Sequence, residues 1–138
     1  MRYREAEFSA DLKERIIHYE VAIRKIAERL PLDYNSVLAD KGIKLDASFG
    51  KDGQDPFIPG YISSISIGVE DENGEFADLH TINIWQCSRT FLGMPVTKKI
   101  PGSKVTGELL DDSAEDIKGE LDEFIEEQIA LAMENGRD

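Results

Sequence analysis

The spacing of apolar residues changes twice along this chain, and no other feature constrains its fold as strongly. Apolar residues recur at helical spacing over 9–30 and again after Ser113, whereas between Ile43 and Cys87 they alternate with polar residues. A period near 3.6 residues indicates a helix with one buried side, and a period of two indicates a half-buried strand. The order predicts an α+β fold with an N-terminal helix, an antiparallel meander of three to four strands, and a C-terminal helix packed on the sheet. At this length, residues 1–138 are expected to form a single domain.

The predicted N-terminal helix covers residues 9–30. Ser9 is a suitable N-cap, and Pro31 is expected to end the helix because proline lacks the N–H that a helix requires. Ile17 and Val21 lie one turn apart on the side opposite the core. Two interpretations stay open for them: another part of the chain covers them, or they form a contact between subunits. The expected core stripe comprises Leu12, Ile16, Tyr19, Ile23, Ile26, Ala27 and Leu30.

The central region predicts strands joined by turns. Residues 31–42 are expected to form a turn or short helix ending at Gly42, and residues 50–60 a mobile loop rich in glycine, proline and aspartate. Asn73-Gly74 is a strong signal for a hairpin turn between the second and third strands. The alternating apolar residues of the first two strands are Ile43, Leu45, Ala47, Phe49, Ile65, Ile67 and Val69.

The predicted third strand, residues 76–87, carries apolar residues on both faces. This pattern is typical of a strand that is covered on both sides. A fourth strand is expected at about 90–97, and residues 98–107 are expected to form a loop because they contain Pro101, Gly102 and Gly107.

The C-terminal helix is predicted to begin near Ser113, which is a suitable N-cap, and to end at Gly136. Apolar residues recur along one side of it, so that side is expected to face the core. The opposite side carries Asp116, Glu120, Asp122, Glu123, Glu126, Glu127 and Glu134, with Lys118 the only base in the body of the helix.

Charge is concentrated in the same segment. The chain has a formal net charge of −12, and residues 108–138 contribute twelve acids and two bases to it. Such a surface repels nucleic acid and anionic membranes and attracts basic proteins. The like-charged pairs one turn apart are each destabilising by a few tenths of a kcal/mol, about 0.2–0.5 kcal/mol, so stability does not account for them. Two interpretations stay open, a docking face for a basic partner or a solvated face that keeps the protein soluble. The docking residues would be Asp116, Glu120, Glu123, Glu126 and Glu127.

These features predict a small acidic protein-interaction module. In size and charge the chain resembles acidic inhibitors and immunity-type proteins that bind basic partners, a likeness of composition alone. Its N-terminus lacks the apolar stretch of a secretory signal, and no apolar run reaches the roughly 18 residues of a membrane span. The single cysteine, Cys87, fits a reducing compartment. We therefore expect a cytoplasmic protein, with homodimer formation compatible with the pattern at Ile17 and Val21.

The sequence contains no pattern that indicates catalysis, a cofactor or a metal. His18 and His80 have no paired-ligand spacing with Cys87, and there is no phosphate-binding loop or nucleophile elbow. We expect Cys87 to be a buried structural cysteine. An enzyme is thus the less favoured class.

A ligand-binding domain is the alternative function. His80, Asn83 and Trp85 lie close together on the third strand, and Trp85 with Asn83 could form the floor of a small-molecule pocket between sheet and helix. The competing interpretation is that Trp85 is a core aromatic residue whose indole N–H finds a hydrogen-bond partner.

Overall fold

The computed structural model describes residues 1–135, which contain two long helices and a six-stranded antiparallel sheet. The α+β prediction, with a helix on each side of the strands in the chain, is confirmed. The sheet has more strands than expected, and its order is β1-β6-β4-β3-β2, with β5 paired to β4 alone. The elements are β1 (Arg2–Arg4), a 3-10 turn (Glu5–Glu7), α1 (Ala10–Ala39), β2 (Lys44–Asp52), β3 (Ile62–Glu70), β4 (Phe76–Phe91), β5 (Met94–Pro95), β6 (Lys104–Leu109) and α2 (Ala114–Asn135).

Two compact units divide the described chain. The first consists of residues 1–22, 50–64 and 82–111, and the second of residues 23–49, 65–81 and those described from 112 onward. We refer to them as unit 1 and unit 2.

Helix α1 continues through Pro31, so the prediction that this proline ends the helix is wrong. Proline removes one backbone hydrogen bond, at a typical cost of about 3 kcal/mol. Contacts of the following turns within unit 2 offset this cost: Leu38 is fully buried, and the Asn35 side chain accepts a hydrogen bond from the backbone N–H of Leu45 at 2.9 Å. Tertiary contacts therefore override a local stop signal.

Helix α1 ends in a glycine C-cap at Gly42, the residue predicted to end a separate turn or short helix over 31–42. Gly42 has φ of +71°, and the amide of Ile43 donates to the carbonyl of Leu38 while that of Gly42 donates to Ala39. This pair of bonds is the Schellman arrangement, which requires a left-handed residue.

The predicted hairpin at Asn73-Gly74 is confirmed. Gly74 has φ of +77°, and Asp71 Oδ1 accepts hydrogen bonds from the amides of Asn73 and Glu75 at 2.8 and 3.0 Å. The turn thus joins β3 to β4 where the dipeptide indicated.

Residues 98–107, expected to be a loop, contain most of a strand. β6 pairs with β4 on one side and with β1 on the other. Gly107 of β6 therefore lies opposite Cys87 of β4 and opposite Tyr3 of β1. The glycine that suggested a loop is required here for packing, because a Cβ at residue 107 would overlap the indole ring of Trp85. A glycine that makes room for an aromatic ring looks like a turn residue when only the sequence is read.

Strand β4 buries neighbouring residues in its second half. In unit 1, β4 buries Ile82, Ile84, Trp85 and Cys87, while Asn83 and Gln86 are exposed. Because successive side chains of a strand point to opposite faces, the full burial of both Ile84 and Trp85 indicates that this part of β4 is covered on both faces. Phe76 and Leu79, near the start of β4, are 38% and 63% exposed, so the predicted cover on both sides applies to residues 82–87 and not to these two.

The core of unit 1 surrounds Trp85. The rings of Phe8 and Phe57 lie edge-on to its indole at 5.8 and 6.2 Å, and they stack on each other at 4.6 Å. Pro56 accepts the indole N–H at 2.6 Å. Pro56 and Phe57 belong to residues 50–60, so the predicted mobile loop is held against the core at these positions. The buried members are Leu12, Ile16, Tyr61, Trp85, Cys87, Val105 and Leu109.

Helix α2 begins as predicted, with Ser113 Oγ accepting the amide of Asp116 at 3.1 Å. Its buried side contains Ile117, Leu121 and Ile125, none of which is more than 1% exposed. The predicted end at Gly136 lies outside the described residues.

Candidate functional site

The acidic face of α2, defined by Asp116, Glu120, Glu123, Glu126 and Glu127, is exposed at every position. At 100° per residue, four of these carboxylates fall within an arc of about 60°, with Glu126 about 60° to one side. With a rise of 1.5 Å per residue, the face extends about 16 Å along the helix. The acids predicted to bind a partner thus form one continuous surface.

This surface has a rigid support. The burial of Ile117, Leu121 and Ile125 on the opposite side of the helix fixes the rotation of α2 within unit 2. Because the backbone is held, the carboxylates keep a defined spacing that a disordered acidic tail would lack.

Glu120 contacts His80, so the structure brings together a predicted docking residue and a predicted pocket residue. His80 Nε2 lies 3.0 Å from Glu120 Oε2, and the imidazole stacks on the ring of Phe124 at 5.2 Å. His80 therefore contacts α2 on two sides and serves to attach the helix to strand β4 in unit 2.

Asp122 is engaged with neighbouring side chains. It accepts hydrogen bonds from the Tyr34 hydroxyl and from Lys118 Nζ, both at 2.9 Å. Partial burial raises the pKa of Tyr34 to about 12, and the bond to Asp122 adds to this because ionised Tyr34 could not donate it. Asp122 is thus a structural contact between α1 and α2.

The other four acids of the face point into solvent. The side chains of Asp116, Glu123, Glu126 and Glu127 make no hydrogen bond or ion pair to any residue of the described range. Gly119 lies beside them, and apart from its chain neighbours and the surrounding helix backbone no described atom comes within 4 Å of the point where its Cβ would be. The surface is consequently open to close approach.

The residues of the predicted small-molecule pocket have different environments. Trp85 is fully buried and hydrogen-bonded to Pro56, so its ring has no surface to offer a ligand, in agreement with the core interpretation. Asn83 is exposed, and His80 packs against α2. Trp85, the expected floor of the pocket, is buried in this structure, and the pocket itself stays a prediction.

Cys87 is 1% exposed, and burial raises the pKa of its thiol to about 11. A thiol of this kind stays protonated at neutral pH and is a weak nucleophile. Across residues 1–135, no three His, Cys, Asp or Glu side chains come together in a way that could hold a metal ion.

Ile17 and Val21 are 46% and 45% exposed, so the described chain does not cover them. Within the described residues no loop or strand covers these two side chains, so the first of the two interpretations does not apply. The two side chains form a small apolar surface on α1 in unit 1.

Unit 1 contains a buried acid, Glu20, that the sequence did not predict. Glu20 is 8% exposed and accepts a hydrogen bond from the Tyr61 hydroxyl at 2.6 Å. The available signal was its position, about 20° from Ala27 at the edge of the core stripe of α1. Burial of the Glu20 carboxylate is tolerated because the hydroxyl of Tyr61, from a distant part of the chain, donates a hydrogen bond to it.

None of the helices within residues 1–135 is both long and apolar enough to cross a membrane. No known protein family, no curated protein and no solved structure matches this chain.

Proposed function

We propose that this protein is an interaction module that binds a basic partner protein through the acidic face of α2. The observation that carries the proposal is the open set of Asp116, Glu123, Glu126 and Glu127 on a helix that is held by its buried side. Long-range attraction by such a surface accelerates association with cationic proteins, and fixed spacing gives selectivity among them.

The energetic cost of the surface supports the same proposal. Glu123 and Glu127 repel each other across one helical turn, and within the described residues no cation pairs with either of them. A basic partner would relieve this repulsion on binding, so part of the binding free energy comes from charges that destabilise the free protein.

The class of partner that fits is a basic protein rather than a nucleic acid, because the phosphate backbone would be repelled. An inhibitor or immunity-type role is consistent with the acidic composition. The proposal includes a cytoplasmic location, which the single unpaired cysteine favours.

Charge reversal tests the proposal. The partner is first captured from a lysate of the native host by the immobilised wild-type protein at about 50 mM salt, where the Debye length exceeds about 10 Å. It is then produced in pure form for binding measurements. We expect Glu123→Lys/Glu126→Lys/Glu127→Lys to weaken binding at least about 100-fold, or roughly 2.7 kcal/mol. Binding by the wild type should also weaken as salt is raised.

A matched control separates the face from net charge. Asp11→Lys/Glu14→Lys/Glu28→Lys changes three exposed acids of α1 and alters the net charge equally. It should bind nearly as well as the wild type. The proposal fails if the α2 variant retains its affinity, or if both triple variants lose affinity to the same extent.

We also propose that the protein self-associates through the apolar surface formed by Ile17 and Val21. Their nearly half-exposed side chains support this, since two branched apolar residues one turn apart gain free energy when a second copy covers them. Self-association on α1 leaves the acidic face of α2 to a different partner.

A further inference from the structure

A groove between α1 and α2 in unit 2 differs in charge from the rest of the molecule. It has a volume of about 260 Å³ and is lined by Lys25, Ile26, Arg29, Leu30, Asp33 and Lys118. Three of these six residues are cationic and one is anionic, whereas the whole chain carries −12. Lys118, the only base in the body of α2, faces this groove.

The floor of the groove is apolar. Leu30 is 1% exposed and Ile26 is half-buried, and both belong to the core stripe of α1. Lysine and arginine extend aliphatic stems along such surfaces while their charged ends stay in water. The groove therefore combines a hydrocarbon base with a cationic rim.

Two cations of the rim are paired with carboxylates, and within the described residues the third is not. Arg29 Nε lies 3.4 Å from Asp33 Oδ1, and Lys118 Nζ lies 2.9 Å from Asp122 Oδ2. The ammonium of Lys25 makes no ion pair with any residue in the described part of the chain. With Asp122 counted beside the lining residues, three cations stand against two carboxylates, and the unpaired Lys25 gives the groove its net positive charge.

From this arrangement we infer that the groove binds a small amphipathic anion, a carboxylate with an aliphatic chain of medium length. The chain would lie over Ile26 and Leu30, and the carboxylate would meet Lys25 and Arg29, which are one turn apart on α1. The groove volume of about 260 Å³ is of the order of that of a medium-chain acid.

This site is separate from the acidic face of α2. Lys118 is two residues from Asp116 and therefore about 200° around the helix from it. The two proposals stand on different residues, so failure of one leaves the other unaffected.

Octanoate is the probe, and octanamide is its neutral counterpart of nearly the same shape. Backbone amide chemical shifts of the full-length protein are followed during titration with each compound in 0.15 M salt. We expect octanoate to shift the amides of Lys25, Ile26, Arg29 and Lys118 and to bind at least tenfold more tightly than octanamide. Raising the salt to 0.5 M should weaken the binding of octanoate and leave the binding of octanamide unchanged.

Two pairs of substitutions locate the site. Lys25→Gln/Arg29→Gln should weaken octanoate binding at least tenfold without changing octanamide binding. The control, Lys13→Gln/Lys41→Gln, changes exposed positions outside the groove and should weaken the binding of neither compound. The inference is overturned if octanoate shifts no groove amide below its micellar concentration, if octanamide binds equally well, or if the control variant loses as much affinity. The comparison of the two compounds on the wild type decides the matter even if a variant fails to fold.

Discussion

Trp85 occupies space that Gly107 leaves empty on the neighbouring strand. The indole has no exposed surface, donates its N–H to Pro56, and contacts the aromatic rings of Phe8 and Phe57. Because protein interiors are close-packed, any atom added at residue 107 must displace this ring. A single glycine and a single tryptophan thus define the centre of unit 1.

We predict that Gly107→Ala destabilises the protein by about 1–3 kcal/mol, the usual cost of overpacking a core. The measurement is urea unfolding followed by tryptophan fluorescence and circular dichroism. Gly50→Ala is the control, since Gly50 also lies in a strand and, apart from its two chain neighbours, no described residue has an atom within 4 Å of the added Cβ. Equal effects of the two substitutions would contradict the packing role assigned to Gly107.

Burial could be predicted at some residues but not at others. Leu12, Ile16 and Ile23 follow the helical period and are buried as expected. Glu20 and Gly107 could not be assigned from the sequence because their partners, Tyr61 and Trp85, come from distant parts of the chain. Charge and backbone freedom are local properties, but whether they are compensated depends on contacts with remote residues.

At the scale of elements, α1 and α2 meet within unit 2 through a hydrogen bond from Tyr34 to Asp122. The contact lies three residues after Pro31, in the part of α1 that local rules assign to a turn. It is one of the interactions that offset the hydrogen bond that proline removes.

The pKa of Tyr34 predicts how this contact depends on pH. A free tyrosine has a pKa of about 10, and Tyr34 in the folded protein has one of about 12. The folded state therefore holds the proton more strongly, and the stability from this group is fully present below pH 10 and lost as pH rises through 12. Loss of the hydrogen bond in Tyr34→Phe should cost about 1–2 kcal/mol at pH 8.

Urea unfolding of the wild type and Tyr34→Phe from pH 8 to pH 12 tests this. The difference in unfolding free energy between them should shrink steadily above pH 10. Cys87, whose pKa is also raised, titrates in both proteins and cancels in the difference. A difference that stays constant to pH 12 would show that Tyr34 ionises with no effect on the contact.

At the scale of the whole molecule, the acidic face and the apolar surface formed by Ile17 and Val21 lie on different helices. The acidic face belongs to α2, and Ile17 with Val21 belong to the first part of α1. This separation allows one surface for a second copy and another for a basic partner.

We predict that Ile17→Asp converts a dimeric wild type into a monomer, because the substitution places a charge in an apolar contact that must lose its water. Sedimentation velocity at about 100 μM gives the mass of each species. Leu32→Asp is the matched control, since Leu32 is also an exposed apolar residue of α1, and it should remain dimeric. A monomeric wild type at that concentration would end the proposal.

The sequence alone determined the α+β class, both N-caps, the C-cap at Gly42, the hairpin at Asn73-Gly74 and the acidic face of α2. These features depend on periodicity, on φ preferences or on exposed charge, all of which are read within a few residues. Only the tertiary structure decided that α1 continues beyond Pro31, that residues 104–109 form a strand beneath Trp85, and that basic residues of α1 and α2 share a groove. Each of these depends on residues far apart in the chain, whose contacts contribute more free energy than the local preferences they override.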